Sequence, residues 1–271
     1  MKQVLTIAGS DSGGGAGIQA DIKTIQANGG FAMSAITSVT AQNTCEVTCA
    51  FDLPTNLLEA QLDAVFSDFE VSALKTGMLS SSRIVTSVTK KLVEFAPQNL
   101  VVDPVMISKS GFPLLQTEAI DILKSDLFPL ATVVTPNVYE AEFLAGCDIN
   151  TLDDAKCAAE NICNYGCQSV LVKGGHLLGE DSTDVLYADG EFMLFEAERI
   201  ETKNTHGTGC TYSAAIATHL AHGESLRGAI GAAKKYITNA ILHSLDIGHG
   251  HGPTNHSYFL KENSDFNISR F

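Results

Sequence analysis

The chain has 271 residues, 45% of them hydrophobic, and a formal net charge of −14. That is ample material for a large α/β core, and no run of about 18 apolar residues offers a membrane span. So acidic a surface repels phosphate backbones and acidic membranes, which excludes non-specific nucleic-acid binding; a small anion must be held by local N–H groups and a few cations.

At the N-terminus, Met-Lys-Gln leads directly into the apolar run VLTIA at residues 4–8, with nothing that reads as a signal peptide. A glycine-rich turn follows, then a helical pattern with Ile18, Ile22 and Ile25 on one face. Residues 31–39 (FAMSAITSV) read as a strand, and NLLEAQLDAVFSDF as a helix with Leu58 and Leu62 inward. Short apolar runs recur at ALKTG, LVVD, TVVTP and SVLVKGG, with helical patterns between them. Strands buried on both faces and separated by helices predict an α/β fold, a central, mostly parallel sheet with helices on both faces. The segment STDVLYADGEFMLFEAERIETKN breaks this rhythm. Two strand-like runs around Asp189-Gly190 predict a hairpin, and hence a small antiparallel edge.

Two helices close the pattern, one from Gly209 and one aligning Leu226, Ile230, Ala233, Ile237 and Ile241. No linker, repeat or low-complexity tract intervenes, so residues 1–271 are read as a single domain. Seven cysteines include two C-x-x-x-C pairs (Cys45/Cys49 and Cys163/Cys167), which is not the usual zinc or redox spacing. They read as buried free thiols in a reducing cytoplasm.

Three glycine-rich stretches fall where strands of such a sheet end. GSDSGGGAGIQAD contains a formal G-x-G-x-x-G/A match, but several residues separate it from its strand. No acid occurs between Asp21 and Glu46 to grip a ribose, so a nicotinamide site is excluded. A loop that wraps closely over a ligand explains the glycines better. In VKGGH, Lys173 ends a strand and either reaches a nucleotide phosphate or is solvated. In NTHGTGCT, Gly207, Thr208, Gly209 and Cys210 open a helix, whose first N–H groups and dipole suit a phosphoryl group. A cysteine there is expected to have a pKa lowered toward neutrality, fit to take a proton from an attacking alcohol.

These motifs, with TAQNT, KTGML, VVDPVM and TPN..EA in the same order, strongly resemble the hydroxymethylpyrimidine/phosphomethylpyrimidine kinases of the ribokinase-like superfamily. The resemblance covers a core of about residues 4–253 and leaves the tail, residues 255–271, unassigned. It implies a ribokinase-like single domain that uses ATP with Mg²⁺ to phosphorylate a hydroxymethyl group. Cys210 would be the general base, and the amides of residues 207–210 an anion hole. Asn137, Thr208 and Lys173 would serve the nucleotide, and Asp103 and Glu140 the Mg²⁺, partly through water. Gln42 would grip the aminopyrimidine, beside Ala16, Asp21, Met78 and Val105, with Asp21 holding the acceptor hydroxyl.

The bacterial pyridoxine and pyridoxal kinases of the same branch are the alternative reading, and a sensor without catalysis is another. The intact Asp103, Asn137, Glu140 and Cys210 speak against a sensor. His249, His251 and His256 in IGHGHGPTNH read as part of a capped turn rather than a metal site. A cytoplasmic homodimer is expected, and whether a monovalent cation assists is left open.

Overall fold

A strand that is apolar on both faces is stable only inside a sheet covered on both sides. The computed structural model describes residues 1–108, 111–175 and 181–260, and it places all the expected runs in one sheet. The strands are β1 (Gln3–Asp11), β2 (Phe31–Gln42), β3 (Val47–Asp52), β4 (Val71–Thr76), β5 (Leu100–Val102), β6 (Val133–Val134), β7 (Ser169–Val172), β8 (Asp181–Ala188) and β9 (Glu191–Glu198). Their spatial order is β3-β2-β1-β4-β5-β6-β7-β8-β9. Neighbours from β2 through β7 are parallel.

The period of two sorts side chains to the two faces. Leu5, Ile7, Leu74 and Val102 face one way, against Leu58 and Leu62 of α2 (Thr55–Asp68) and Ile84, Val85 and Val88 of α3 (Ser82–Phe95). Val4, Ala73, Val101, Val133 and Leu171 face the other. They meet Ile25 of α1 (Gly17–Ala27), Ala214, Ala215 and Ala217 of α7 (Thr208–Ala221), and Ile230, Ala233 and Ile237 of α8 (Leu226–Leu242). Small residues on α7 let its backbone lie close over β1, β4 and β5. Its N-terminus therefore stands at their carboxyl ends. The remaining helices are α4 (Thr117–Ile122), α5 (Val138–Ala145) and α6 (Leu152–Cys163).

The expected hairpin is present, with Asp189 and Gly190 both at positive φ (52° and 78°), as a two-residue turn requires. A second antiparallel edge was not expected. β3 pairs antiparallel with β2, yet only Val47 in it is buried, so it carries no alternating pattern to read. β2 also runs three residues beyond Val39, which delivers Gln42 to the site.

The expectation of buried thiols needs correction. All seven cysteines are free, but Cys45, Cys49 and Cys157 are exposed and Cys167 alone is buried. Among the described residues no helix is long and apolar enough to cross a membrane. His176 of VKGGH and residues 261–271 of the tail lie outside the described residues.

The three histidines near the C-terminus serve separate partners. His249 gives its backbone N–H to Thr44 Oγ1, and His251 Nδ1 lies 2.9 Å from the Lys203 carbonyl. His256 is buried with its Nε2 3.0 Å from Thr211 Oγ1 in α7. Burial, helped by the nearby Lys23 charge, pushes its pKa down to about 4. A depressed histidine pKa stabilises the fold fully above the unfolded value near 6.5 and loses that contribution as pH falls toward 4. His256→Gln is therefore expected to flatten the loss of stability between pH 6.5 and 4.5 by up to about 3 kcal/mol. Urea unfolding across that range checks this; parallel curves for the two proteins would contradict it.

Candidate active site

Open α/β sheets bind ligands at the carboxyl ends of their strands, and here those ends are organised by one carboxylate. Asp11 closes β1. Its oxygens accept from the N–H groups of Gly13 (2.8 Å), Gly15 (3.0 Å) and Ala16 (2.8 Å), and one lies 2.9 Å from His206 Nε2. Burial pushes the Asp11 pKa up, but the bond to His206 and the amides outweigh it and hold the carboxyl below its usual range. The loop of residues 12–16 is thereby wound around an anion and fastened to the segment that precedes α7.

Two glycines permit this approach. A Cβ on Gly15 would strike the His206 ring, and a Cβ on Gly207 would run into the Gly15 carbonyl. Gly207 also sits at φ 79°, where a side chain is strained, as the residue that caps α7. Just inside the helix, Thr208 donates its hydroxyl to the Thr205 carbonyl at 2.8 Å, and the Thr211 N–H closes the first turn on Gly207. Among the described residues, the amides of Gly209 and Cys210 have no partner. They are the free donors at the positive end of a 14-residue helix.

Cys210 is half-buried, and its surroundings are polar. A hydrogen bond from the Gly17 N–H, the Lys75 ammonium and the carboxylates of Asp21 and Asp103 all act on its sulfur. Burial dominates and pushes the thiol up to about 11; Lys75 opposes it, and the two carboxylates add to it. The expected shift toward neutrality is thus reversed. A helix tip favours a thiolate, but removal from water and two nearby anions cost more than the tip supplies.

Asp21, whose charge acts on the Cys210 sulfur, is itself held by a buried cation. It is completely buried, takes Lys75 Nζ on both oxygens (3.0 and 2.9 Å) and accepts the Thr6 hydroxyl at 2.6 Å. Its part is to fix the equally buried Lys75, whose pKa stays raised because Asp21, Cys210 and Asp103 outweigh burial. Lys75 was legible only as one letter of ALKTG, since its partner lies 54 residues away.

On the other side of the helix tip, Lys173 Nζ binds Asp103 Oδ1 at 2.9 Å, and Ser213 of α7 donates to Asp103 Oδ2 at 3.2 Å. A Cβ on Gly209 would stand 3.3 Å from Lys173 Nζ, so this pair lies directly against the free amides. Asn137 and Glu140 form a reciprocal cap on α5: Asn137 Oδ1 accepts the Glu140 N–H (2.9 Å), and Glu140 Oε2 accepts the Asn137 N–H (2.8 Å). Burial pushes Glu140 up to about 7; Lys173 opposes it and Asp103 adds to it. Asp103, Glu140 and Lys173 are therefore one electrostatic cluster, with more negative charge than its single lysine neutralises.

The acceptor-side residues also converge. Ser12 ties the glycine loop to the backbone of Gln42 at 2.6 and 2.8 Å, and the Gln42 carboxamide lies 3.4 Å from His206 Nε2. The nearly buried Met78 sets its sulfur against Gly9 of β1, and Ala16 touches Gly207. Half-buried Val105 follows Asp103 in a tight turn. Asp11 and His206 had no assigned part in the sequence reading, because both lie inside glycine motifs that draw attention to the backbone.

A mostly parallel sheet whose glycine segments close on a helix tip is the architecture of the ribokinase-like kinases. Residues 11–255 match the family described as phosphomethylpyrimidine kinase. A hydroxymethylpyrimidine/phosphomethylpyrimidine kinase of Haemophilus influenzae is 50% identical over 262 residues, covering 94% of this chain and 97% of that protein. A thiamine biosynthesis bifunctional protein of Geobacter sulfurreducens is 50% identical over 93% of this chain, which spans 52% of that longer protein. Among solved structures, the ADP complex of a Bacillus subtilis pyridoxal kinase superposes with a TM-score of 0.90 at 42% identity, covering 96% of this chain and 99% of that one. The chain belongs to the phosphomethylpyrimidine kinase family, and it is a phosphotransferase.

Lys75→Met should strand the buried Asp21 charge and destabilise the fold by roughly 3–5 kcal/mol. Lys75→Met with Asp21→Leu should recover most of that loss. Urea denaturation of both variants checks this; a single variant costing under about 1 kcal/mol would contradict the pairing.

Proposed function

We infer that the chain acts as a single catalytic domain that moves the terminal phosphoryl group of ATP to the hydroxymethyl oxygen of 4-amino-5-hydroxymethyl-2-methylpyrimidine, and then to its monophosphate, for thiamine diphosphate. The observation that carries this reading is the pair of unpartnered amides at Gly209 and Cys210, beside a thiol and the acceptor-side residues. Phosphoryl transfer asks a protein chiefly for alignment and for charge stabilisation of the phosphoryl oxygens. Donors fixed by a folded helix supply that without reorganising.

In this reading Lys173, Asn137 and Thr208 serve the nucleotide. Met78 and Val105 flank the flat ring, Ala16 closes one side, and Gln42 meets the amine and the adjacent ring nitrogen. Asp103 and Glu140 fit Mg²⁺: burial pushes Glu140 up to about 7, Lys173 opposes it, and the neighbouring Asp103 carboxylate adds to it. Two carboxylates cannot cage the ion alone, so phosphate oxygens and water would complete a hard, oxygen-only set. Bound there, Mg²⁺ would neutralise charge on the phosphates. Use of ATP accords with a cytoplasmic enzyme, and the exposed Phe192 and Leu194 on edge strand β9 are the surface assigned to a second copy in a homodimer.

The alcohol oxygen bonds to phosphorus as the bond to ADP breaks, and the alcohol proton passes to the Cys210 sulfur. Only a thiolate can accept it, and Lys75 is the fixed charge that favours the thiolate. Activity should therefore rise with pH through neutrality toward about 11, the value to which burial pushes the thiol, because each step upward enlarges the fraction able to take a proton. A plateau in kcat/KM already reached near pH 7 would contradict this. Cys210→Ala should lower kcat by about 10² or more while leaving ATP affinity nearly unchanged; near-normal kcat would remove the sulfur from the mechanism.

The likeness to a pyridoxal kinase supports a second reading, in which the acceptor is pyridoxal or pyridoxine. ADP release with each acceptor separates the two. Brisk turnover of pyridoxal beside negligible turnover of the pyrimidine would reverse the order.

A further inference from the structure

Gln42 stands where the sheet loosens its grip on β2. The pairing with β1 ends at Thr40, and the pairing with β3 slips in register between Ala41 and Gln42. The turn that follows is braced from within. The Asn43 N–H donates to the Glu46 carbonyl (3.0 Å), and Asn43 Oδ1 accepts the N–H groups of Cys45 (2.8 Å) and Glu46 (3.0 Å). These bonds stiffen the turn without fastening it to anything else. Ser12 fastens Gln42 from the glycine loop, and a second tie comes from residues 248–251. Thr44 Oγ1 accepts the N–H groups of His249 and Gly250, both at 3.1 Å, and the Thr44 carbonyl accepts the His251 N–H at 2.9 Å.

The approach is too close for side chains. A Cβ on Gly248 would strike the Thr44 side chain, and one on Gly250 would run into the Thr44 carbonyl. The same segment then turns toward the start of α7. The Gly252 N–H donates to Asn204 Oδ1 (3.0 Å), the His206 N–H to the Gly252 carbonyl (3.1 Å) and the Thr254 N–H to the His206 carbonyl (3.2 Å). Gly252, Pro253 and Thr254 are buried, and His206 immediately precedes Gly207, the cap of α7. One short segment therefore reaches from the turn beyond Gln42 to the helix tip, and main-chain hydrogen bonds fix it at both ends.

We propose that residues 248–254 are a clasp that sets the distance between Gln42 and the tip of α7, and that Thr44 is the positioning residue through which the clasp holds Gln42. The glycines of GHGHG are then spacing devices for the site, which gives that motif a part in the reaction although none of its side chains meets the substrate. The ring is gripped at Gln42 while the phosphoryl group is held at Gly209 and Cys210, so the alcohol reaches phosphorus only if those two places are correctly spaced. An error of about 1 Å in such spacing costs on the order of 10² in rate. This inference rests on the reading of Gln42 as the residue that meets the aminopyrimidine.

The test measures kcat/KM for 4-amino-5-hydroxymethyl-2-methylpyrimidine, and KM for ATP, in the full-length enzyme and in Thr44→Val. That substitution keeps the shape of the side chain and removes the oxygen that accepts the two amides. It should lower kcat/KM for the pyrimidine by about tenfold or more and leave KM for ATP within about twofold. Thr44→Ser, which keeps the oxygen, should restore kcat/KM to within about threefold of the wild type. In a Gln42→Leu background, Thr44→Val should cost less than about twofold more, because its effect passes through Gln42. A Thr44→Val enzyme with unchanged kcat/KM, a parallel rise in KM for ATP, or a full additional loss in the Gln42→Leu background each overturns the inference and leaves the aminopyrimidine reading intact. A wild type that does not turn over the pyrimidine overturns that reading and the inference with it. Should Thr44→Val not fold, Gly250→Ala, whose Cβ would meet the Thr44 carbonyl, is judged by the same criteria.

Discussion

The architecture depends on bringing two backbone segments into contact at the start of α7. Gly15 and Gly207 meet where neither tolerates a Cβ, and the Asp11 carboxylate holds the first segment in the curve that makes this possible. Without that contact the free amides of Gly209 and Cys210 would face open water and bind phosphate no better than any exposed helix end. With it, they lie against Lys173 and Asp103, where fixed dipoles act across a lower dielectric.

The charges around the cleft follow a consistent plan. The two lysines beside the helix tip are each matched to a carboxylate, Lys75 to Asp21 and Lys173 to Asp103, in a chain of net charge −14. Little positive charge is left over. In the proposed reading, attraction for a triphosphate comes from the helix tip and from a divalent ion beside Asp103 and Glu140, whose carboxylates repel each other in the protein alone. The same environment sets the state of Cys210. Burial keeps its thiol protonated, and Lys75 is the neighbouring charge that favours the thiolate.

Much of this was legible in the sequence, and the misses share a cause. The parallel sheet, its order of strands and helices and the Asp189-Gly190 hairpin all follow from periodicity and turn chemistry, which are local. β3 escaped because its outward face leaves no alternation. Cys210, Gly207 and Gly209 were readable as a helix tip, and Asp103, Lys173, Asn137, Glu140, Gln42, Met78 and Val105 as strand-end residues matching a family pattern. What periodicity cannot give is who pairs with whom. The pairing of Asp21 with Lys75 is hidden because the two lie 54 residues apart, and the raised pKa of Cys210 is hidden because two of the anions behind it arrive through tertiary contact. Asp11 and His206 were missed for the same reason, 195 residues apart yet 2.9 Å from each other.

The most direct test of the account is a crystal structure of this protein with a non-hydrolysable ATP analogue, Mg²⁺ and the pyrimidine alcohol. The terminal phosphate should lie within hydrogen-bonding distance of the Gly209 and Cys210 amides, with the acceptor oxygen between it and the sulfur. A triphosphate seated away from residues 207–210, or an alcohol that cannot reach Cys210, would contradict the claim that the start of α7 is where the phosphoryl group is transferred.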